Sequence, residues 1–229
     1  MRFYKLNLTA DEKIIGQYPQ TKIIEQGDFG LEKNIRLGHF GPIGELLNKP
    51  KLRFEDNALV TDAVDNIYLS YSLFLIISSD LLDLFIEFTL KSFKTYDVFI
   101  SHRSKVFDYK LFHVDYPSND EFINFERSEF YIGKRGVPPS DLLVEIHHFE
   151  EYLKRQKQAK ADYPGSNLLC KKLMLDLSQC ELDLFRLTVG PALGYFVSEK
   201  LKNVIETEGF TGFAFKEIEE DTKIEVLYG

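Results

Sequence analysis

Leu193-Gly-Tyr-Phe-Val-Ser198-Glu-Lys-Leu-Lys-Asn-Val-Ile205-Glu-Thr-Glu-Gly209-Phe-Thr-Gly-Phe213-Ala-Phe-Lys-Glu217 is the stretch in which every local signal agrees. Tyr195, Phe196 and Val197 favour a strand, and Ser198 is suited to cap a helix by accepting an orphan backbone N–H. Glu199 then falls at the positive end of the helix dipole. Leu201, Val204 and Ile205 form an apolar stripe at i, i+3 and i+4, with Lys200, Lys202, Asn203 and Glu206 facing water. Gly209 suits the left-handed residue that ends the helix, and Phe213 and Phe215 alternate with Ala214 and Lys216 as in a half-buried strand.

The same pattern occurs earlier. Leu73 to Ile77 is apolar, Ser78-Ser-Asp80 follows, Leu81, Leu84, Phe85 and Phe88 continue at helical spacing, and Tyr96 to Ile100 reads as the closing strand. Two β-(Ser-acid)-α-β units are expected, as a duplicated half or as one recurrent solution to a packing problem. Working outward, residues 2–8 alternate as a strand, and Thr9 with Glu12 fits a capping box. Gly16 to Pro50 is dense in Gly and Pro and predicts turns between short strands. Within it, Leu37 to Gly44 spaces its glycines by three but lacks the order of a phosphate-binding loop, so a turn is the expectation.

Val106 to Tyr116 and Phe122 to Ile132 read as two strands of a hairpin around the turn cluster Pro117 to Asp120. Leu142 to Ile146 reads as a strand and His147 to Ala161 as a helix, with Phe149, Tyr152 and Leu153 inward and Glu150/Lys154 and Glu151/Arg155 as pairs. Lys172 to Leu177 is a further strand, while Cys180 to Leu187 fits either helix or strand. These short elements predict an α+β fold of mostly antiparallel sheets with short helices packed on them. The chain, residues 1–229, is expected to be a single domain or two lobes hinged near 133–140, where Gly133, Gly136, Pro138 and Pro139 cluster.

The chain of 229 residues is 44% hydrophobic, enough for a sizeable core, and carries 20 Phe, 12 Tyr and no Trp. Its formal net charge of −8 argues against nucleic acid as a partner and suits a basic protein instead. Lys91, Lys94, His102, Arg103 and Lys105, interleaved with Phe93, Tyr96 and Phe99, read as an ordinary mixed surface. The two cysteines, Cys170 and Cys180, form no disulfide framework, the first residues carry no secretory h-region, and the greasiest tract contains Asp80, Asp83 and Glu87. A cytoplasmic protein with no membrane segment is expected.

No cofactor, metal site or catalytic residue is expected. His147 and His148 are adjacent and diverge, His39, His102 and His113 are scattered, and the cysteines read as small hydrophobes. Asp80, Asp83 and Glu87 share the polar side of one helix. Asp183 interrupts an apolar run beside Arg186 and fits a buried acid–base pair, which would centre a small-ligand or enzyme site as the alternative reading. The run Glu217-Ile-Glu-Glu-Asp221-Thr-Lys-Ile-Glu225 reads as an edge strand or, more sharply, as an acidic docking surface in which Glu217, Glu219, Glu220 and Asp221 bind a partner.

Certain of these segments carry a likeness to a known family: Asp183-Leu-Phe-Arg186, Phe196 to Glu206 and Gly209-Phe-Thr-Gly-Phe213, with Ile77 to Leu82, Phe107 to Val114 and Ile123 to Tyr131 in the middle. The chain resembles, over roughly residues 70–217, a bacterial family once classed as a domain of unknown function. Its members are encoded beside polymorphic toxins as their immunity proteins. Ser78-Ser-Asp80 stands where the family pattern leads one to expect Ser-Glu-Lys or Ser-Glu-Arg, which leaves the capping logic intact. The matching motifs build a fold and carry no catalytic residue. The resemblance implies a non-enzymatic antitoxin that binds one cognate toxin domain, such as a basic nuclease, in the cytosol.

Overall fold

The computed structural model describes residues 1–25, 49–65, 74–114, 120–134 and 142–229. In chain order these form β1 (Phe3–Leu8), α1 (Glu12–Ile15), β2 (Thr21–Glu25), β3 (Lys51–Phe54), β4 (Ala63–Val64), β5 (Leu75–Ser78), α2 (Ser79–Ile86), β6 (Phe93–His102) and β7 (Lys105–Val114). There follow β8 (Glu129–Gly133), β9 (Leu143–Val144), α3 (Phe149–Asp162), β10 (Asn167–Asp176), β11 (Leu184–Leu187), β12 (Gly194–Ser198), α4 (Glu199–Thr207), β13 (Phe213–Glu217) and β14 (Ile224–Leu227). They make three sheets, of order β11-β12-β1-β13, β14-β10-β8-β9 and β2-β3-β6-β7-β5-β4. Among the described strands only β10 with β14 and β3 with β6 pair in parallel. The fold is α+β and dominated by antiparallel pairing.

The opening stretch folds as its residues dictate. Ser198 is extended (φ −65°, ψ 155°) and its oxygen accepts the Leu201 amide at 3.1 Å, so the strand β12 passes into α4 without a loop. At the other end Gly209 has φ +78°, its amide bonds the Glu206 carbonyl, and the Phe210 amide bonds the Ile205 carbonyl. That pair of bonds is the Schellman ending, and Phe210 packs against the core cluster that contains Ile205. Ser78 caps α2 in the same way, accepting the Leu81 amide at 3.2 Å.

The two units share more than a capped helix. In one, β12 and β13 are parallel to each other because both pair antiparallel with β1, which lies between them. In the other, β5 and β6 are parallel because both pair antiparallel with β7. A fourth strand flanks each, β11 beside β12 and β4 beside β5. The order β11-β12-β1-β13 with α4 therefore repeats as β4-β5-β7-β6 with α2. The middle strand comes from the start of the chain in one unit and from a hairpin in the other.

Two acids join the units reciprocally. Asp62, one residue before β4, accepts the Ser78 hydroxyl at 3.2 Å within its own unit and the Thr211 amide at 2.8 Å from the other. Asp183, one residue before β11, accepts the Ser198 hydroxyl at 2.6 Å and the Thr89 amide at 3.1 Å. The backbone repeats the exchange. Ser78 N–H bonds Asp62 C=O and Ser198 N–H bonds Asp183 C=O, while Ala63 and Leu184 donate to the carbonyls of Thr211 and Thr89. Both threonines follow a phenylalanine, Phe88 and Phe210, just beyond the helix of their unit.

Between the units lies a common core. Leu81 and Phe85 of α2 and Leu201 and Ile205 of α4 meet Tyr4, Leu6, Ile77, Phe112, Val114, Tyr195 and Val197. The opposite side of the sheet containing β1 packs on the sheet containing β10. There Phe185 sits against Phe3, Phe122 and Phe196 at 5.3, 5.2 and 5.4 Å between ring centroids, with Phe149 and Tyr152 of α3 in the same cluster. Each fully buried Phe contributes about 2–3 kcal/mol of burial.

Several expectations need correction. Phe122 to Ile132 is not one strand: it holds 3₁₀ turns at Asp120–Phe122 and Phe125–Arg127 before β8, and β8 pairs with β10 and β9. The partner of β7 is β6, through a tight turn in which Arg103 takes φ 54°. Thr9 is not the N-cap of α1. Asp11 is, accepting the Lys13 amide at 3.0 Å, while the Thr9 oxygen accepts the Asp11 amide. Helix α3 begins at Phe149, with His148 as its N-cap, and Glu151–Arg155 forms at 3.7 Å. Glu150 turns back to His148 at 3.0 Å instead of reaching Lys154. Cys180 to Leu187 resolves to strand, as β11. Residues 37–44 and all but Gly133 and Lys134 of the expected hinge lie outside the described residues.

Candidate functional site

The acidic run lies where the sheet containing β1 ends. Among the described residues strand β13 lies at one edge of that sheet. Beyond Glu217 the chain makes a 3₁₀ turn, Ile218–Glu220, fastened by Ile218, which is 1% exposed. Burying Ile218 turns its neighbours outward, so Glu217, Glu219 and Glu220 are exposed. Glu217 precedes the turn but makes no side-chain cap bond with it. Among the described residues none of these three glutamates forms an ion pair. Asp221 differs, since its carboxylate accepts the Lys223 amide at 3.0 Å and closes the turn before β14. Glu225, further along, pairs with Lys172 at 2.8 Å.

Cations stand on both faces of the same strands. Lys5 and Lys216 are register partners on β1 and β13, like charges side by side. The Lys5 ammonium is half-buried and donates to the Pro191 carbonyl at 3.1 Å. Burial holds its pKa below the ordinary lysine value; Asp221 works against that shift and Lys216 adds to it. On the α4 side, Lys202 lies over the rings of Tyr4 and Phe215 and pairs with Glu206 at 2.7 Å. The Tyr228 hydroxyl is pushed up, first by burial and then by the carboxylate of Glu219. Lys5 and Lys216 thus stand on the face of the sheet opposite Glu217, and Lys202 covers the rings of Tyr4 and Phe215 on Glu217's own face.

Asp183 and Arg186 are both buried but do not meet. They lie three apart on an extended strand, and their side chains take different partners. Asp183 belongs to the clasp with Ser198 and Thr89, whereas Arg186 Nη1 lies 2.7 Å from His113 Nε2. A guanidinium only donates, so His113 accepts at Nε2 and carries its proton on Nδ1. Arg186 and His113 are each 0% exposed, and Phe74 packs 4.9 Å from the imidazole. A solute would have to open the core to reach them.

No known family profile and no curated protein matches this chain.

The remaining candidates are placed singly. Asp80, Asp83 and Glu87 line the exposed side of α2. Lys94 and Arg103 stand at opposite ends of the β6–β7 hairpin, about 30 Å apart at roughly 3.3 Å per residue, and Lys91 pairs with Glu121. His147 is exposed, and the His148 ring accepts the Glu151 amide. Among the described residues no three His, Cys, Asp or Glu gather as a metal site, and no helix is long and apolar enough to cross a membrane. Cys170 and Cys180 are free and buried, and burial pushes their thiols up to about 12 and about 11. Sequence reasoning missed Asp62, Thr89 and Thr211. The repeated Phe-Thr pair after each helix was the available signal.

Proposed function

We propose that the chain is an immunity protein, which binds a cognate bacterial toxin domain by direct protein–protein contact and thereby neutralises it in the cytoplasm. The observation that carries this reading is the exposed set Glu217, Glu219 and Glu220, held by the buried Ile218 at the border of a sheet and paired with no cation among the described residues. Carboxylates kept exposed and unneutralised raise the rate of encounter with a basic partner and disfavour acidic ones. The net charge of −8 acts in the same direction over longer range. The resemblance of residues 70–217 to toxin-associated immunity proteins supplies the class of partner, and a basic nuclease domain fits the charge. A scaffold clasped at two junctions suits such a protein, because a surface already ordered before contact loses less entropy on binding.

The test is co-expression with the product of the neighbouring gene. Rescue of growth and co-purification at one-to-one stoichiometry are expected. Growth arrest that persists at matched expression, with no complex recovered, removes the reading.

A further inference from the structure

The internal repeat shows where one of the two sheets stops short. Strand β13 in one unit corresponds to β6 in the other, each being the outer parallel strand beyond the antiparallel middle strand. On the outer side of β6 the sheet goes on: β3 adds in parallel through Lys51–Phe99, Leu52–Ile100 and Arg53–Ser101, and β2 adds to β3. On the outer side of β13 no strand follows among the described residues. Aligned through the middle strands, Phe93 opposite Val114 matches Phe213 opposite Leu8, so the stretch of β6 that receives β3 corresponds to residues just past β13, in the acidic turn.

The backbone of β13 can be assigned group by group. The Thr9 amide donates to the Gly212 carbonyl, so Thr9 and Gly212 are a hydrogen-bonded pair of the antiparallel ladder. Such pairs alternate. Ala214 and Lys216 therefore turn their N–H and C=O toward β1, and Phe213, Phe215 and Glu217 turn theirs outward. Phe213 is nearly buried, but Phe215 is half-exposed and Glu217 exposed. An open strand border of this kind is a template for another chain.

We infer that an extended segment of the protein partner adds to β13 as a further strand, with lysine or arginine side chains set against Glu217, Glu219 and Glu220. This rests on the antitoxin reading above and names the part of the surface that does the binding. The backbone groups of Phe215 and Glu217 supply the pairing, and the three carboxylates select a basic segment over an acidic one. Lys216, on the reverse face, sets the register by rejecting a cation at the alternate position.

Glu217 offers a clean test. Its φ is −57°, which proline adopts unstrained, and its N–H points away from β1, so E217P deletes the outward donor without cutting a bond within the sheet. E217Q removes the charge and keeps the donor. With the toxin domain from the neighbouring gene as probe, E217P is expected to weaken binding by tenfold or more and E217Q by a few-fold, with equal melting temperatures. Hydrogen exchange on the wild-type pair is expected to show the Phe215 and Glu217 amides exchanging freely alone and protected in the complex. Equal affinities for E217P and E217Q, or unprotected amides in a complex that forms normally, overturn the strand addition and leave the antitoxin reading standing. Protection already present without the toxin, whether from a segment of this chain or from self-association seen by sedimentation, overturns it too. Failure of the wild-type protein to bind the toxin at all removes the antitoxin reading and the strand addition with it.

Discussion

The Ser198 hydroxyl donates a 2.6 Å hydrogen bond to Asp183 while its oxygen accepts the Leu201 amide at 3.1 Å. One buried side chain thus starts helix α4 and fastens the strand before it. Replacing Ser198 by alanine removes a cap, worth about 1 kcal/mol, and deprives a buried carboxylate of a donor, about 1–3 kcal/mol more. S198A is expected to lower unfolding free energy by about 2–4 kcal/mol in urea titration. S78A, whose hydroxyl is half-buried and 3.2 Å from Asp62, should lose about 1 kcal/mol. Equal losses would contradict the difference in burial.

Gly212 and Gly209 separate close packing from helix ending. A Cβ on Gly212 would lie 2.0 Å from the Ala63 carbonyl oxygen, at φ +100°, against backbone of the other unit. One on Gly209 would meet nothing within 4 Å, at φ +78°. G209A is expected to cost about 1 kcal/mol, the strain of a left-handed residue. G212A should cost at least about 3 kcal/mol or prevent folding, because backbone at the junction cannot retreat. Thermal melts of the two variants decide it.

Alkaline pH is expected to destabilise the fold in a defined window. Burial pushes the Tyr195 hydroxyl up to about 12, with Arg186 opposing, and holds the Cys180 and Cys170 thiols at about 11 and about 12. Acids raised in the folded state stabilise it below their unfolded pKa, near 9 for these thiols and 10 for tyrosine, and that contribution is lost as pH rises toward the folded values. Stability should therefore fall between about pH 9 and 12. Y195F, which keeps the ring and removes the ionisable group, should flatten the part of the fall above about pH 10.

Neutralising Glu217 and Glu220 together with glutamine should leave unfolding free energy within about 0.5 kcal/mol, since these two side chains are exposed. The same variant should associate with the toxin more slowly, and its association rate should depend less on salt than that of the wild type. Stopped-flow association at two ionic strengths measures both. An unchanged rate and salt slope would take these carboxylates out of the interface.

Much of the architecture was readable where one short stretch carried several agreeing signals. Ser198, the stripe at Leu201 and Ile205, and Gly209 specify strand, helix and stop without outside help, and Ser78 with Leu81 and Phe85 does so again. Pairing was not readable. Nothing local in Phe3–Leu8 says that it enters between β12 and β13, and nothing in Val106 to Tyr116 says that β6 rather than residues beyond 120 is its neighbour. Those choices depend on which faces remain to be covered after collapse. The acid at position 183 was noticed for interrupting an apolar run beside Arg186. Strand alternation sends those two side chains to opposite faces, so adjacency in sequence misled about adjacency in space.

The position of β1 sets a schedule. Phe3 pairs with Ser198 and Leu8 with Phe213, so β1 waits for residues about 200 positions later before it has neighbours. At about 5–20 residues per second that delay is on the order of ten to forty seconds. During it β1 lacks both of the strands that flank it. The half of the molecule bearing the proposed binding border therefore finishes folding only after the body of the chain has been synthesised. A bulky fusion placed ahead of Arg2, whose carbonyl receives the Glu199 amide, would obstruct that final closure more than the same fusion placed after Gly229.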